Sequence, residues 1–341
     1  YEMLRSLVGS EMCIRDRETR QNYQAIADRQ WQVVKEEYFT ATGRCAVKTQ
    51  TGLVLALKYH LSDNERLTEQ MLRKLLRDNK NKLNTGFVGT PLLCNVLTEH
   101  GMTDLAYRLL LNEEYPGWLH EVKLGATTVW ERWNSLDENG RISSTGMNSL
   151  NHYSYGAVLE WIFRHVAGID VTEQGPGGKM MRISPKVDHK LGSASAVYDS
   201  ASGCYRCGWQ IENGDQITVT VTVPFGAKAQ VILPYAPDSV YHDTDNPLFE
   251  TVENGICCVK AGQYTVTYKA ASPLKKSYSV DSTLEDLLGE PAIRAFLSNM
   301  MEVDMIPDLA YGLTLRQAAE AFAGGVSAEQ AQRLNALLEE F

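Results

Sequence analysis

The sequence predicts a multidomain α and β chain: an antiparallel helix array, then an antiparallel β domain, then a short helical C-terminal extension. Three observations predict it. Apolar residues recur at helical spacing through residues 18–112, they alternate with a period of two on either side of Asn213-Gly214, and helix-start signals return from Ser282 onward. At roughly 150 residues per domain, the 341 residues accommodate about two domains. Hydrophobic residues at 44% and charged residues at 22% are ordinary for a globular chain and exclude a disordered, collagen-like or coiled-coil one.

Residues 1–17 come first and fit no element. They lack an initiator Met and the apolar core of a signal peptide, and the portion SLVGSEMCIRDR resembles translated sequencing-adapter read-through. This segment is expected to be non-native. From Glu18 on, Tyr23, Ile26, Ala27, Val34 and Tyr38 share one helical face, a stripe expected to be buried. A second helix carries Leu53, Ala56, Leu57 and His60. Ser62 and Glu65 form a capping-box pattern ahead of a stripe of Leu67, Met71, Leu72, Leu75 and Leu76. Thr90-Pro91 reads as an N-cap followed by the first helical position, Gly101 stops that helix, and Leu105, Leu109 and Leu110 belong to the next. Between 113 and 149 the periodicity ends. That segment holds Trp118, Trp130, Trp133 and four Gly, and long irregular runs in helical domains are usually functional when ordered. Helix returns with Tyr155, Val158, Leu159, Ile162, Phe163 and Val166, and Gly168 stops it.

After the Gly-Pro-Gly-Gly run at 175–178 the pattern changes. Tyr205, Cys207, Trp209 and Ile211 alternate up to the Asn213-Gly214 turn, and Ile217, Val219, Val221 and Val223 alternate after it, which reads as a β-hairpin. Residues 231–233 and Tyr264, Val266 and Tyr268 add strands. Helices resume at Ser282, Pro291, Thr314 and Ser327, with capping boxes at Ser282/Glu285, Thr314/Gln317 and Ser327/Gln330. The expected domains are therefore 18–170, 171–272 and 273–341.

A net charge of -9 without a Lys/Arg cluster argues against nucleic acid or an anionic membrane surface as partner. The longest apolar run, residues 53–57, is far short of the ~20 residues a membrane helix needs. Seven cysteines are irregularly spaced, and the single Cys204-x-x-Cys207 has no second pair to complete a zinc site. On a strand its two thiols would face opposite ways. The thiols read as free, which points to a reducing, cytoplasmic compartment.

Candidate chemistry concentrates in residues 113–155. Glu131 is flanked by Trp130 and Trp133, a combination suited to sugars: indole faces stack on the C–H face of a pyranose while a carboxylate takes a proton from water. Burial beside Trp would raise the carboxyl pKa. The residues equally allow Glu131 to pair with an arginine such as Arg132 while the indoles fill a core. His152 reads as a hydrogen-bonded structural residue or a ligand contact. It is no metal ligand by spacing, since no His or Cys lies three or four residues on. Residues 84–90 could bring backbone close to a ligand or form a tight inter-helix turn; no Gly-Lys-Ser/Thr follows to make a P-loop. Gly-x-Ser-x-Gly and His-Glu-x-x-His are absent, leaving acid/base work by carboxylates.

TGFVGTPLL at 85–93, GATTVWERW at 125–133 and NSLNHYSYGAV at 148–158, in this order and spacing, resemble the C-terminal half of a bacterial α-L-rhamnosidase of glycoside hydrolase family 78. The resemblance spans about residues 18–272. It implies a partial (α/α)6 barrel followed by an antiparallel β-sandwich, and an inverting mechanism on terminal α-L-rhamnose. It makes Glu131 the general base that activates water, and His152 a contact to sugar hydroxyls. Trp118 and Trp130 become walls of the sugar pocket. It implies rhamnose-containing glycosides as partners, no cofactor and no metal, and allows a homodimer in the intact protein. An inverting glycosidase also needs a general acid roughly 6.5–9.5 Å from the base. In such enzymes the acid lies in an Asp/Arg/Glu-rich motif followed by Trp and Gly-Asp, in the first half of the barrel. Arg15-Asp16-Arg17-Glu18 lacks the Trp and Gly-Asp, so no acid is assigned in this chain, which is expected to be inactive alone. The competing readings are another inverting (α/α)6 glycosidase or phosphorylase, and a non-catalytic carbohydrate-binding protein working through its β-sandwich.

Overall fold

A computed structural model describes residues 17–341 apart from 138, 144, 145, 147, 173, 174, 244, 308, 309 and 340; most of the suspected non-native segment thus lies outside the described residues. The chain divides into two compact units, residues 1–165 and 166–341.

The first unit is helical: α1 (Arg17–Tyr38), α2 (Gln50–Lys58), α3 (Glu65–Asp78), α4 (Thr90–Glu99), α5 (Thr103–Leu110), α6 (Trp118–Lys123) and α7 (Val158–Trp161). A 3-10 turn at Tyr155–Ala157 leads into α7 and a π-helical turn at Ile162–Val166 continues it. The core is built from Leu53, Leu57, Leu72, Leu76, Leu93, Leu97, Met102, Leu109 and Trp161, all almost fully buried. Each such side chain contributes about 1.5–3 kcal/mol by leaving water. The Trp161 indole donates to Thr98 Oγ1 at 2.8 Å, so its one polar atom is satisfied inside that core.

Two helix starts differ from the sequence expectation. The N-cap of α3 is Asn64, whose side chain accepts from Leu67 N, because the Ser62 hydroxyl is buried and donates to Gly43 O at 2.8 Å. The N-cap of α4 is Gly89 and Thr90 lies inside the helix, its hydroxyl bonded to that of Thr85 at 2.8 Å. A Cβ on Gly89 would stand 2.4 Å from Thr51 Oγ1, so α4 can start this close to α2 only at a glycine. His60 falls beyond the end of α2, in the left-handed region at φ 51°. The α1 stripe is also different: Tyr23, Ile26 and Tyr38 are 43%, 56% and 45% exposed, since nothing among the described residues covers that face.

The second unit begins at a bend that requires glycine. Gly168 has φ +83°, and a Cβ there would lie 2.2 Å from Pro185 N. Among the described residues nine strands follow: β1 (Ile169–Val171), β2 (Met180–Ile183), β3 (Ser193–Ser200), β4 (Gly203–Glu212), β5 (Gln216–Val223), β6 (Lys228–Val231), β7 (Val252–Glu253), β8 (Ile256–Val259) and β9 (Gly262–Lys269). They form one sheet of order β1-β2-β6-β8-β7 and one of order β3-β4-β5-β9. The alternation around Asn213-Gly214 is the β4–β5 hairpin, with Trp209 opposite Val219 and Cys207 opposite Val221. The pairing is antiparallel except between β2 and β6, which run parallel from Met180 opposite Lys228. A parallel pair needs a long crossover, here everything from β3 to β5, and so leaves no local sequence mark. Tyr205 and Tyr268 are buried ring-first, their hydroxyls donating to the carbonyls of Gly178 and Pro234, each at 2.7 Å.

Cys204 and Cys207 both lie on β4, and burial pushes the Cys207 thiol up to about 12. Cys45, Cys94, Cys204, Cys207, Cys257 and Cys258 are free thiols. The extension holds α8 (Leu284–Gly289), α9 (Pro291–Ser298), α10 (Leu315–Ala323) and α11 (Ala328–Leu338) around a core of Leu284, Leu287, Ile293, Leu297, Leu315 and Leu338. The capping boxes of Thr314/Gln317 and Ser327/Gln330 are both formed. The first start is one residue later than expected: Thr283 caps α8 while Ser282 Oγ accepts from Ser279 N.

Candidate active site

The irregular segment is built on α6, a six-residue helix that the sequence pattern did not reveal. Trp118 anchors it by donating from its indole to Tyr155 O at 3.0 Å. The chain then turns at Gly125 and runs back beside 149–152. Here Glu131 N donates to Ser149 O at 2.9 Å and His152 N to Val129 O at 2.8 Å. Ser135 and Asn148 lock the far end, with Asn148 Nδ2 donating to Ser135 O at 2.9 Å. This short two-segment ladder places Glu131 and His152, 21 positions apart in sequence, on neighbouring stretches of backbone.

Glu131 is half-buried, and its carboxylate has no hydrogen-bond or ion-pair partner among the described residues. The arginine pairing that the sequence left open is not made with any arginine among the described residues. His152 is sandwiched, with Phe87 at 5.0 Å and Tyr153 at 5.2 Å, both rings within 11° of parallel. Its Nδ1 accepts from Ser154 N at 3.3 Å, so the neutral ring carries its proton on Nε2 and offers that N–H as a donor.

Behind these two residues lies an aromatic cluster. Trp133 stacks on Tyr155 at 4.0 Å, meets the edge of Trp118 at 5.3 Å and donates to Thr85 O at 3.0 Å. Residues 85–90 thus belong to the same assembly: Thr85 holds Trp133 and Phe87 holds His152. Trp118 and Trp130 are 8% and 2% exposed and do not line the open pocket beside the cluster. That pocket, of about 440 Å³, is bordered by Trp133, Thr85, Gly86, Asn84, Tyr115 and Lys82, among others.

One carboxyl escaped sequence reasoning. Glu121 on α6 is 3% exposed, its Oε1 has no hydrogen-bond partner, and its Oε2 accepts from Trp130 N at 3.4 Å. Burial raises its pKa from 4.5 to about 7, with the Trp130 N–H opposing. Nothing in the local sequence distinguishes it from an exposed helical Glu. The Tyr155 hydroxyl is likewise raised, by burial first and then by the nearby Glu121, with Arg132 acting the other way and Tyr115 and Glu131 adding. Among the described residues, no group of three or more His, Cys, Asp or Glu is placed to hold a metal ion.

The profile of the bacterial alpha-L-rhamnosidase 6 hairpin glycosidase domain matches residues 3–166, and that of the bacterial alpha-L-rhamnosidase C-terminal domain matches residues 168–246. The chain belongs to the bacterial α-L-rhamnosidase family. An alpha-L-rhamnosidase of Alteromonas sp. (strain LOR) is 39% identical over 64% of this chain and 23% of its own length. The structure of Streptomyces avermitilis alpha-L-rhamnosidase complexed with L-rhamnose superimposes with a TM-score of 0.65 and 32% identity, over 73% of this chain and 24% of that one. Native α-L-rhamnosidase from Aspergillus terreus gives a TM-score of 0.66 and 27% identity, over 77% and 28%. The chain therefore spans about a quarter of the length of these rhamnosidases.

Proposed function

We propose that this chain is part of an inverting glycoside hydrolase that releases terminal α-L-rhamnose from rhamnosides, with Glu131 as the general base. The observation that carries this is the half-buried Glu131 carboxylate, unpaired among the described residues and held on the same backbone ladder as His152. A carboxylate without a protein partner is free to take a proton from water, and Glu131 would direct that water at the anomeric carbon as the glycosidic bond breaks. His152, stacked between two rings, presents Nε2–H to a sugar hydroxyl. Trp118 and Trp130 serve the sugar site from behind, Trp118 by backing Trp133 and Trp130 by fixing the peptide before Glu131. Phe87 is the exposed ring here, and the largely buried Trp133 borders the pocket beside it.

No residue of this chain is assigned as the general acid, and the proposal is that the chain by itself binds sugar without turning it over. Loss of one member of an acid/base pair costs about 10²–10⁴-fold. The test has two readouts on the purified chain. Titration with L-rhamnose followed by NMR should shift the Glu131 side-chain carboxyl and the His152 ring resonances. An aryl α-L-rhamnoside should be hydrolysed no faster than by Glu131→Gln. A rate matching that of intact family members, or rhamnose shifts confined to the β-strands, would overturn the proposal.

A further inference from the structure

We propose that Glu121 is a positioning residue for Glu131: its buried carboxyl holds the peptide N–H of Trp130 and so sets where the neighbouring Glu131 carboxylate stands. The inference rests on the reading of Glu131 as the base.

Glu121 grips both ends of one loop. Its main-chain carbonyl accepts from Ala126 N at 3.0 Å, and its side-chain Oε2 accepts from Trp130 N at 3.4 Å. The run Ala126–Trp130 is thereby closed onto α6, and Glu131 is the first residue beyond the closure. From there Glu131 N is fixed on the opposite side by Ser149 O at 2.9 Å. Two backbone anchors in succession leave the Glu131 side chain little freedom except at its own χ angles.

Stability alone gives no reason for a carboxyl in this place. Its Oε1 is buried without a partner, a loss of about 1–3 kcal/mol, and a glutamine could accept from Trp130 equally well. A carboxyl differs from an amide in being able to carry charge beside the site. The groups that share its surroundings are Tyr155 and, around that hydroxyl, Tyr115, Arg132 and Glu131. In this dry position burial keeps Glu121 mostly neutral below about pH 7.

The experiment uses the full chain with side-chain-labelled glutamate and amide hydrogen exchange, comparing wild type, Glu121→Gln and Glu121→Leu. Gln retains an acceptor for Trp130 N–H and Leu does not. The Trp130 amide should exchange at a similar rate in wild type and Glu121→Gln, and at least about tenfold faster in Glu121→Leu, relative to amides of α4. The Glu131 side-chain carboxyl resonance should coincide in wild type and Glu121→Gln and move in Glu121→Leu. Equal Trp130 exchange in all three proteins, or a Glu131 carboxyl resonance that stays in place in Glu121→Leu, would overturn the proposal. Neither readout uses a sugar. Failure of the rhamnoside reading shows separately, as L-rhamnose leaving the Glu131 and His152 resonances unmoved.

Discussion

Raising the pH from 5 to 8 should weaken the helical unit, because it forces a charge onto Glu121 where water cannot reach. The folded unit holds that proton up to about pH 7, whereas the unfolded chain releases it near 4.5. Between those values the folded state binds more protons than the unfolded one, so stability falls as pH rises. The contribution is complete below pH 4.5, declines through the window, and is gone above pH 7. At about 1.4 kcal/mol for each tenfold in proton affinity, the gap from 4.5 to about 7 amounts to about 3 kcal/mol. For a unit of this size that corresponds to a fall in Tm of about 6–12 °C. Glu121→Gln cannot titrate and should lack this component. The assay is thermal unfolding of wild type and Glu121→Gln at pH 5 and pH 8, followed by tryptophan fluorescence. Five of the six Trp lie in the helical unit and only Trp209 in the second, so the signal reports chiefly the unit in question. All other titrating groups are common to both proteins and cancel in the difference. Parallel pH dependence in the two would show that Glu121 is hydrated or ionised in the folded state, and the reasoning would fail.

Trp133→Ala removes the ring that stacks on Tyr155 and should cost about 3–5 kcal/mol in urea unfolding of the helical unit; a loss under 1 kcal/mol would mean the cluster is not packed as described. Gly168→Ala combines a left-handed φ with a clash 2.2 Å from Pro185 N, and should lower the midpoint of the second unit's unfolding by more than Gly101→Ala lowers that of the first, since Gly101 has open space around it. Thr314→Ala removes one half of a formed capping box and should cost about 1 kcal/mol by thermal denaturation, with no cost if the hydroxyl is dispensable. Toward a thiol reagent at pH 8, exposed Cys258 should react at once. Cys94 and Cys207, both raised to about 12 by burial, should react only on unfolding, and prompt labelling of either would contradict their burial.

Much of the fold was legible because local rules and tertiary packing agree there. The alternation from Tyr205 to Val223 needs only a sheet with one dry face, and that is what β4 and β5 supply. Thr314/Gln317 and Ser327/Gln330 need only the helix they start, and both boxes form. Where a hydroxyl had a choice of partner, the sequence could not decide. Ser62 went to Gly43 O and Thr90 to Thr85, which moved two caps. The α1 stripe shows the reverse limit: periodicity marks an apolar face but says nothing about what lies against it.

The candidate site divides along the same line. By itself the sequence determined which chemical groups are present, that they cluster in residues 113–155, and which family they resemble, because residue type and spacing are local properties. Only the tertiary structure decided what each group experiences. Among the described residues it left the Glu131 carboxylate without a hydrogen-bond or ion-pair partner, made His152 Nδ1 the acceptor of Ser154 N, buried Trp118 and Trp130, and brought Phe87 against His152 from 65 positions away. It also made Glu121 the most perturbed carboxyl of the site, since desolvation depends on every neighbour in space and is written in no single stretch of chain.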